Sequence, residues 1–152
     1  MPYETHIVDQ GKGIYKIGHG VVTSAEILAS SLQRSIDVKK AGQNPVKYAL
    51  LDFSGTTELQ VSRDTVMQVL NIDREIARYS AGCFIAAVAP DSLIFGMARL
   101  WSSFSKDLGW EAQVFRSREV AKEWLRMQLG HGNPDDFPLD EYPFLKPDGD
   151  AP

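Results

Sequence analysis

The stretch from Gly82 to Leu108 limits what this chain can fold into more than any other. Its first half, Cys83-Phe84-Ile85-Ala86-Ala87-Val88-Ala89, is apolar without alternation and stops at Pro90. A strand with no polar alternation is covered on both faces, as in the middle of a mostly parallel sheet. Pro90 has no N–H to give to a ladder, so the strand ends there. Asp91 or Ser92 then offers an N-cap. Leu93, Met97, Leu100, Trp101, Phe104 and Leu108 follow at helical spacing and predict a helix over 92–107, with Phe95 off the stripe. A buried strand feeding a helix is therefore the unit around which the chain is built.

The remaining segments extend that unit in both directions. Residues 5–9 and 14–21 read as short strands joined by a Gln10-Gly11-Lys12-Gly13 turn. Thr23 and Glu26 form a capping-box pattern opening a helix over 24–40, with Leu28, Leu32 and Ile36 at helical spacing. Residues 46–53 form a strand with both faces apolar, followed by a connection at 56–61. Ser62 caps a helix running to about Ser80 whose inward stripe is Val66, Val69, Leu70, Asp73, Ile76 and Ala77. Residues 110–115 alternate like an edge strand, and Ser117 caps a last helix that buries Val120, Ala121, Trp124, Leu125 and Met127. The order β-β-α-β-α-β-α-β-α predicts an α/β fold: a mostly parallel sheet of about five strands, an antiparallel N-terminal hairpin and four helices. One domain is expected over 1–130. Residues 131–152 carry six acids, one Lys and five prolines with no period, and read as an acidic, Pro-rich tail.

Charge and composition narrow the function classes. Outside the tail, 14 acids and 15 bases nearly cancel, so no nucleic-acid footprint is expected. Cys83 is the one cysteine, which excludes an internal disulfide and suits a cytoplasmic protein. Met1-Pro2-Tyr3-Glu4-Thr5-His6 lacks a basic and an apolar region, so no signal peptide is expected, and no apolar run is long enough for a membrane span. His6, His19 and His131 have no partner at ligand spacing, so no metal is expected, and no glycine pair continues into a nucleotide fingerprint, so no cofactor is expected.

Two places carry the candidate site. Ligands in open α/β sheets sit beyond the carboxyl ends of the strands, where Asp52, Ser54 and Asp91 fall. Asp52 and Ser54 equally suit local loop hydrogen bonds, and an enzyme would need Asp52 and Asp91 to converge. Phe95, Gly96 and Arg99 form the second place. A helical Gly costs about 1 kcal/mol relative to Ala and usually marks a close approach. An aromatic, a small residue and a guanidinium suit a partner surface or an anionic amphiphile, with Trp101 beside them.

Several phrases in this order resemble the SpoIIAA-like family, allied to the STAS (anti-sigma-factor antagonist) domains. They are Lys47-Tyr48-Ala49-Leu50-Leu51-Asp52-Phe53-Ser54-Gly55, Ala87-Val88-Ala89-Pro90, Phe95-Gly96-Met97-Ala98-Arg99, and Val114-Phe115-Arg116-Ser117 with Ala121 and Trp124-Leu125. The resemblance spans about residues 5–130. It implies a superhelix of βα units, a fold type shared with CRAL-TRIO lipid carriers, and no catalytic residues. The phosphorylatable Ser that STAS switches carry in an Asp-Ser-Ser-Gly type motif has no match, since the region reads Leu59-Gln60-Val61-Ser62-Arg63-Asp64. Ser62 is the nearest hydroxyl, and Asp64 would repel a phosphate on it. The expected function is a non-catalytic binding or regulatory domain acting through protein contacts, as a homodimer or with another protein partner. The alternative is a carrier of a small apolar or amphiphilic ligand near the 92–107 helix. A cavity beside that helix separates the two.

Overall fold

In the computed structural model, residues 3–41 and 46–130 are described. The elements run β1 (Tyr3–Val8), β2 (Gly13–Thr23), α1 (Ser24–Ala41), β3 (Tyr48–Gln60), α2 (Arg63–Ile76), β4 (Phe84–Val88), α3 (Ser92–Ser105), β5 (Glu111–Phe115) and α4 (Arg118–Leu129). The five strands lie in the sheet in chain order. β1 and β2 pair antiparallel, and every later neighbour pairs parallel. This is the predicted α/β architecture. Right-handed crossovers between sequential parallel strands all pass on one side of a sheet. Helices α1, α2 and α3 accordingly cover one face, and α4, which follows the last strand, covers the other. The expected tail at 131–152 lies outside the described residues.

Period-two geometry sorts the strand residues between two cores. Ala49, Leu51, Phe53, Ile85 and Ala87 face α1–α3, whereas Tyr48, Leu50, Ala86 and Val88 face α4. Thr23 and Glu26 make the predicted capping box at the head of α1. The Glu26 N–H donates to Thr23 Oγ1 at 3.3 Å and the Thr23 N–H to Glu26 Oε1 at 3.2 Å.

Three expectations need correction. Residues 56–60 continue β3 and pair with β2 through two register shifts, because their polar alternation is that of a strand exposed on one side. The helix expected to reach Ser80 gives way after Ile76 to a 3-10 turn over Ala77–Tyr79. In α4, Val120 and Met127 face solvent, and the buried side is Ala121, Lys122 and Leu125.

Cys83 is buried at the entrance to β4. Burial pushes its thiol up to about 12, so almost no thiolate forms near neutral pH.

The hairpin is pinned to the sheet by Tyr48. Its hydroxyl donates to Asp9 Oδ2 at 3.2 Å, and its ring lies where a Cβ on Gly13 would stand, within 2.5 Å. Only a residue without a side chain fits under that ring. Gly13→Ala is expected to destabilise the domain by about 1–3 kcal/mol through overpacking. The measurement is the shift of the urea midpoint at unchanged slope.

Candidate functional site

At the carboxyl edge of the sheet, Asp52 and Asp91 are engaged separately. Asp52 is fully buried on the α4 side of β3. Its Oδ1 accepts from the Ser54 N–H at 2.9 Å and from the Ser54 hydroxyl at 2.5 Å, and its Oδ2 from Arg118 Nε at 2.7 Å. Arg118 also donates to Ser54 Oγ at 3.1 Å. The first turn of α4 is thereby fastened to the middle of β3, level with the end of β4. Asp91 is exposed and caps α3, accepting from the Leu93 and Ile94 N–H groups at 2.9 and 3.2 Å. Arg116 closes the neighbouring corner by donating to the Pro90 carbonyl at 3.0 Å and to Ser92 Oγ at 3.2 Å.

On α3, Phe95 is half-buried, with the guanidinium of Arg116 4.1 Å and that of Arg99 6.0 Å from its ring centre. A Cβ added at Gly96 would meet nothing within 4 Å. Leu93, expected inside, is 74% exposed, and the helix buries Ile94, Trp101 and Ser105. The N-cap sets this rotation: Asp91 holds the first turn so that Ile94, not Leu93, points at the sheet. Ser62 caps α2, accepting from the Thr65 N–H at 3.2 Å, and its side chain is exposed beside Asp64.

Beneath α3 lies a cavity of about 90 Å³, bounded by the sheet and by α1, α2 and α3. Most of its wall is aliphatic, including Leu51, Val66, Val69, Ala87, Ile94 and Met97. Lys16, Arg34, Asp73 and Trp101 also line it. Asp73 is completely buried; it pairs with Arg34 of α1 and accepts from Trp101 Nε1–H at 3.1 Å. Arg34 also stands over the Trp110 ring, 5.5 Å from its centre. Lys16 is 3% exposed, and its Nζ donates to Ser30 Oγ at 2.6 Å and to the Ser30 carbonyl at 3.3 Å. Burial pushes the Lys16 ammonium well below its ordinary value, and the Arg34 charge pushes the same way.

Of the residues singled out in the sequence, Trp101 alone lines the cavity; Asp52 and Ser54 belong to the α4 side, and Asp91, Phe95, Gly96 and Arg99 to the rim and outside of α3. Lys16 and Arg34 were missed. Helix α1 turns Ser31, Arg34 and Ser35 inward and leaves Leu32 and Ile36 about half exposed, the reverse of its apolar spacing. The available signal was Asp73, a carboxylate on an inward stripe, which needs a buried cation opposite it. Among the described residues no group of three or more His, Cys, Asp and Glu could hold a metal ion, and no helix is long and apolar enough to cross a membrane.

No family model and no curated protein matches the chain. Two solved structures are similar to it. The anti-sigma factor antagonist SpoIIAA in its unphosphorylated form superposes with a TM-score of 0.51 at 12% identity, over 82% of this chain and 97% of that one. An uncharacterised protein of the DUF3478 family with a SpoIIAA-like fold, from Shewanella loihica, gives 0.49 at 14% identity, over 81% and 91%. With its sequential five-stranded sheet, three crossover helices on one face and a fourth on the other, the chain has the SpoIIAA-like α/β fold.

Proposed function

We propose that this chain is a non-catalytic binding domain that takes a small amphiphilic molecule in the cavity under α3. The cavity itself is the observation that carries the reading. A space of about 90 Å³ is several times what one water needs, and its walls are chiefly aliphatic. Ligand sites combine such apolar walls with a few placed polar groups, and Lys16, Arg34, Asp73 and Trp101 supply these. The non-catalytic reading is supported by the carboxylates: Asp52, Asp73 and Asp91 are each committed to structural partners. The cytoplasm is the compartment that its single cysteine suits.

A second reading, contact with another subunit or protein, is favoured by α1. Its outward Leu32 and Ile36 lie one turn apart and remain 54% and 48% exposed. Leu93 adds a third exposed aliphatic side chain at the start of α3. In that reading the chain is a homodimer or has a protein partner, and ligand occupancy is what it reports.

Dissolved xenon tests the cavity without reference to any head group. Methyl resonances of Leu51, Val66, Val69 and Ile94 are expected to shift and saturate, while those of Leu50 and Leu125 on the other face stay in place. Ala98→Leu, which fills the cavity, should suppress the shifts and raise stability by about 0.5–2 kcal/mol. Equal shifts on both faces, or none, would remove the reading.

Gly96 separates the two readings. As open helix surface, Gly96→Ala should stabilise the domain by about 1 kcal/mol. Sedimentation equilibrium then decides whether association is present in the parent and weakened in the variant, as a subunit packed against that glycine requires.

The pH dependence of stability follows from Lys16. Its native pKa is lowered and its unfolded value is the ordinary 10.5, so between the two the unfolded chain holds more protons and stability rises with pH. The Tyr3 ring of β1, Arg34 and Asp37 of α1 and Asp73 of α2 surround it. Lys16→Met is expected to be more stable than the parent near neutral pH. Urea unfolding from pH 7 to 10 should show that advantage shrinking as pH approaches the unfolded value.

A further inference from the structure

The polar groups of the cavity do not all have partners of opposite charge. Arg34 and Asp73 pair, and Trp101 takes the second oxygen of Asp73, so the carboxylate is fully engaged. Among the described residues Lys16 hydrogen-bonds only to Ser30, through two neutral oxygens, stands 5.9 Å from the centre of the Tyr3 ring, and forms no ion pair. Arg34 Nε, also buried, has no hydrogen-bond partner among the described residues. Beside the Arg34–Asp73 pair, the cavity wall therefore carries an amine with no anion within ion-pair distance among the described residues.

A buried amine with only neutral partners gives up its proton unless an anion compensates the charge, so an anion brought to Lys16 would restore the ammonium and pair with it. The protein could have placed Met at this position and filled the same volume. Instead β2 delivers Lys16 to the α1 face, and α1 rotates Ser30 and Arg34 toward it at the expense of exposing Leu32 and Ile36. Two adjacent elements thus depart from the simplest apolar packing at the same place. An anion from outside is the complement that both departures have in common.

Size sets the rest of the molecule. A cavity of about 150 Å³ accepts benzene, and this one is about 90 Å³. With one end of the ligand at Lys16, an alkyl chain of about three to five carbons fills such a space. We propose that the cavity is a site for a short-chain monocarboxylate, its carboxylate on Lys16 and its chain against Leu51, Val66, Ile94 and Met97. A cationic or neutral ligand of the same length offers Lys16 no counter-charge.

This inference rests on the cavity being a ligand site, so its test uses probes of one length and three head groups. Sodium butyrate, 1-butanol and butylammonium chloride are titrated into the full chain at constant ionic strength, with the cavity methyl groups observed by NMR. Butyrate is expected to bind at least tenfold more tightly than 1-butanol, in the range of a charge-assisted hydrogen bond. Lys16→Met is expected to lose that tenfold preference while binding 1-butanol as well as the parent does. The parent comparison of acid with alcohol needs no variant and stands even where Lys16→Met fails to fold. Butyrate binding no tighter than 1-butanol, or bound equally by Lys16→Met, overturns the head-group assignment while leaving the cavity reading intact. Failure of both organic probes and xenon to reach the cavity overturns the two together.

Discussion

Everything on the three-helix face depends on the carboxylate of Asp73. It sits on α2 with no exposure to solvent, and it is held by α1 through Arg34 and by α3 through Trp101. An unpartnered carboxylate in such a place would cost several kcal/mol, so its two partners are obligatory rather than decorative. One side chain thereby ties three helices together, alongside the direct α1–α2 contacts of Ser24 with Thr65 and Lys39 with Glu75. Arg34 then extends the arrangement to Trp110, just ahead of β5, by lying over its ring.

That constraint explains why part of the structure was legible in the sequence and part was not. The strand over 84–88 and its helix were readable because unbroken apolarity followed by Pro and an N-cap has few alternative meanings. The order of elements followed, and with it the single-sided crossovers. The orientation of α1 was not readable from apolar spacing, because Leu28, Leu32 and Ile36 form a better aliphatic stripe than the face the protein buries. Ser31, Arg34, Ser35 and Val38 recur at equally good helical spacing, and they win because Asp73 must be neutralised. Hydrophobic periodicity ranks faces by transfer energy and has no means of counting a charge on a neighbouring helix.

The candidate residues divide along the same line. Asp52 and Ser54 lie inside β3, which runs on to Gln60, and the partner that defines them, Arg118, lies 66 positions away, where no local pattern announces it. Asp91 was legible as a cap because a cap is a local device. Trp101 was legible as an inward residue, and its hydrogen bond to Asp73 was not. Lys16 sits on a strand whose neighbours Ile14, Tyr15 and Ile17 are all buried. A lysine there reads as a solvent-facing break in the pattern, when in fact it points between the sheet and α1.

The persistence of the cavity follows from a comparison of magnitudes. On the opposite face, a single helix is met by large rings: Trp124 lies 6.1 Å from Phe84 and 5.6 Å from Phe115, centre to centre, and Tyr15 and Tyr48 are fully covered. Under α3 the facing residues include Ala87 and Ala98, which leave room. Closing about 90 Å³ by letting α3 settle onto the sheet would gain roughly 2 kcal/mol at about 24 cal/mol per Å³. Settling would carry Trp101 off Asp73 and disturb the ion pair behind it, and breaking a buried pair costs roughly 3–5 kcal/mol. The loss outweighs the gain, so the helices remain propped apart by their polar contacts, and the space is kept open by the same groups that give it its electrostatic character.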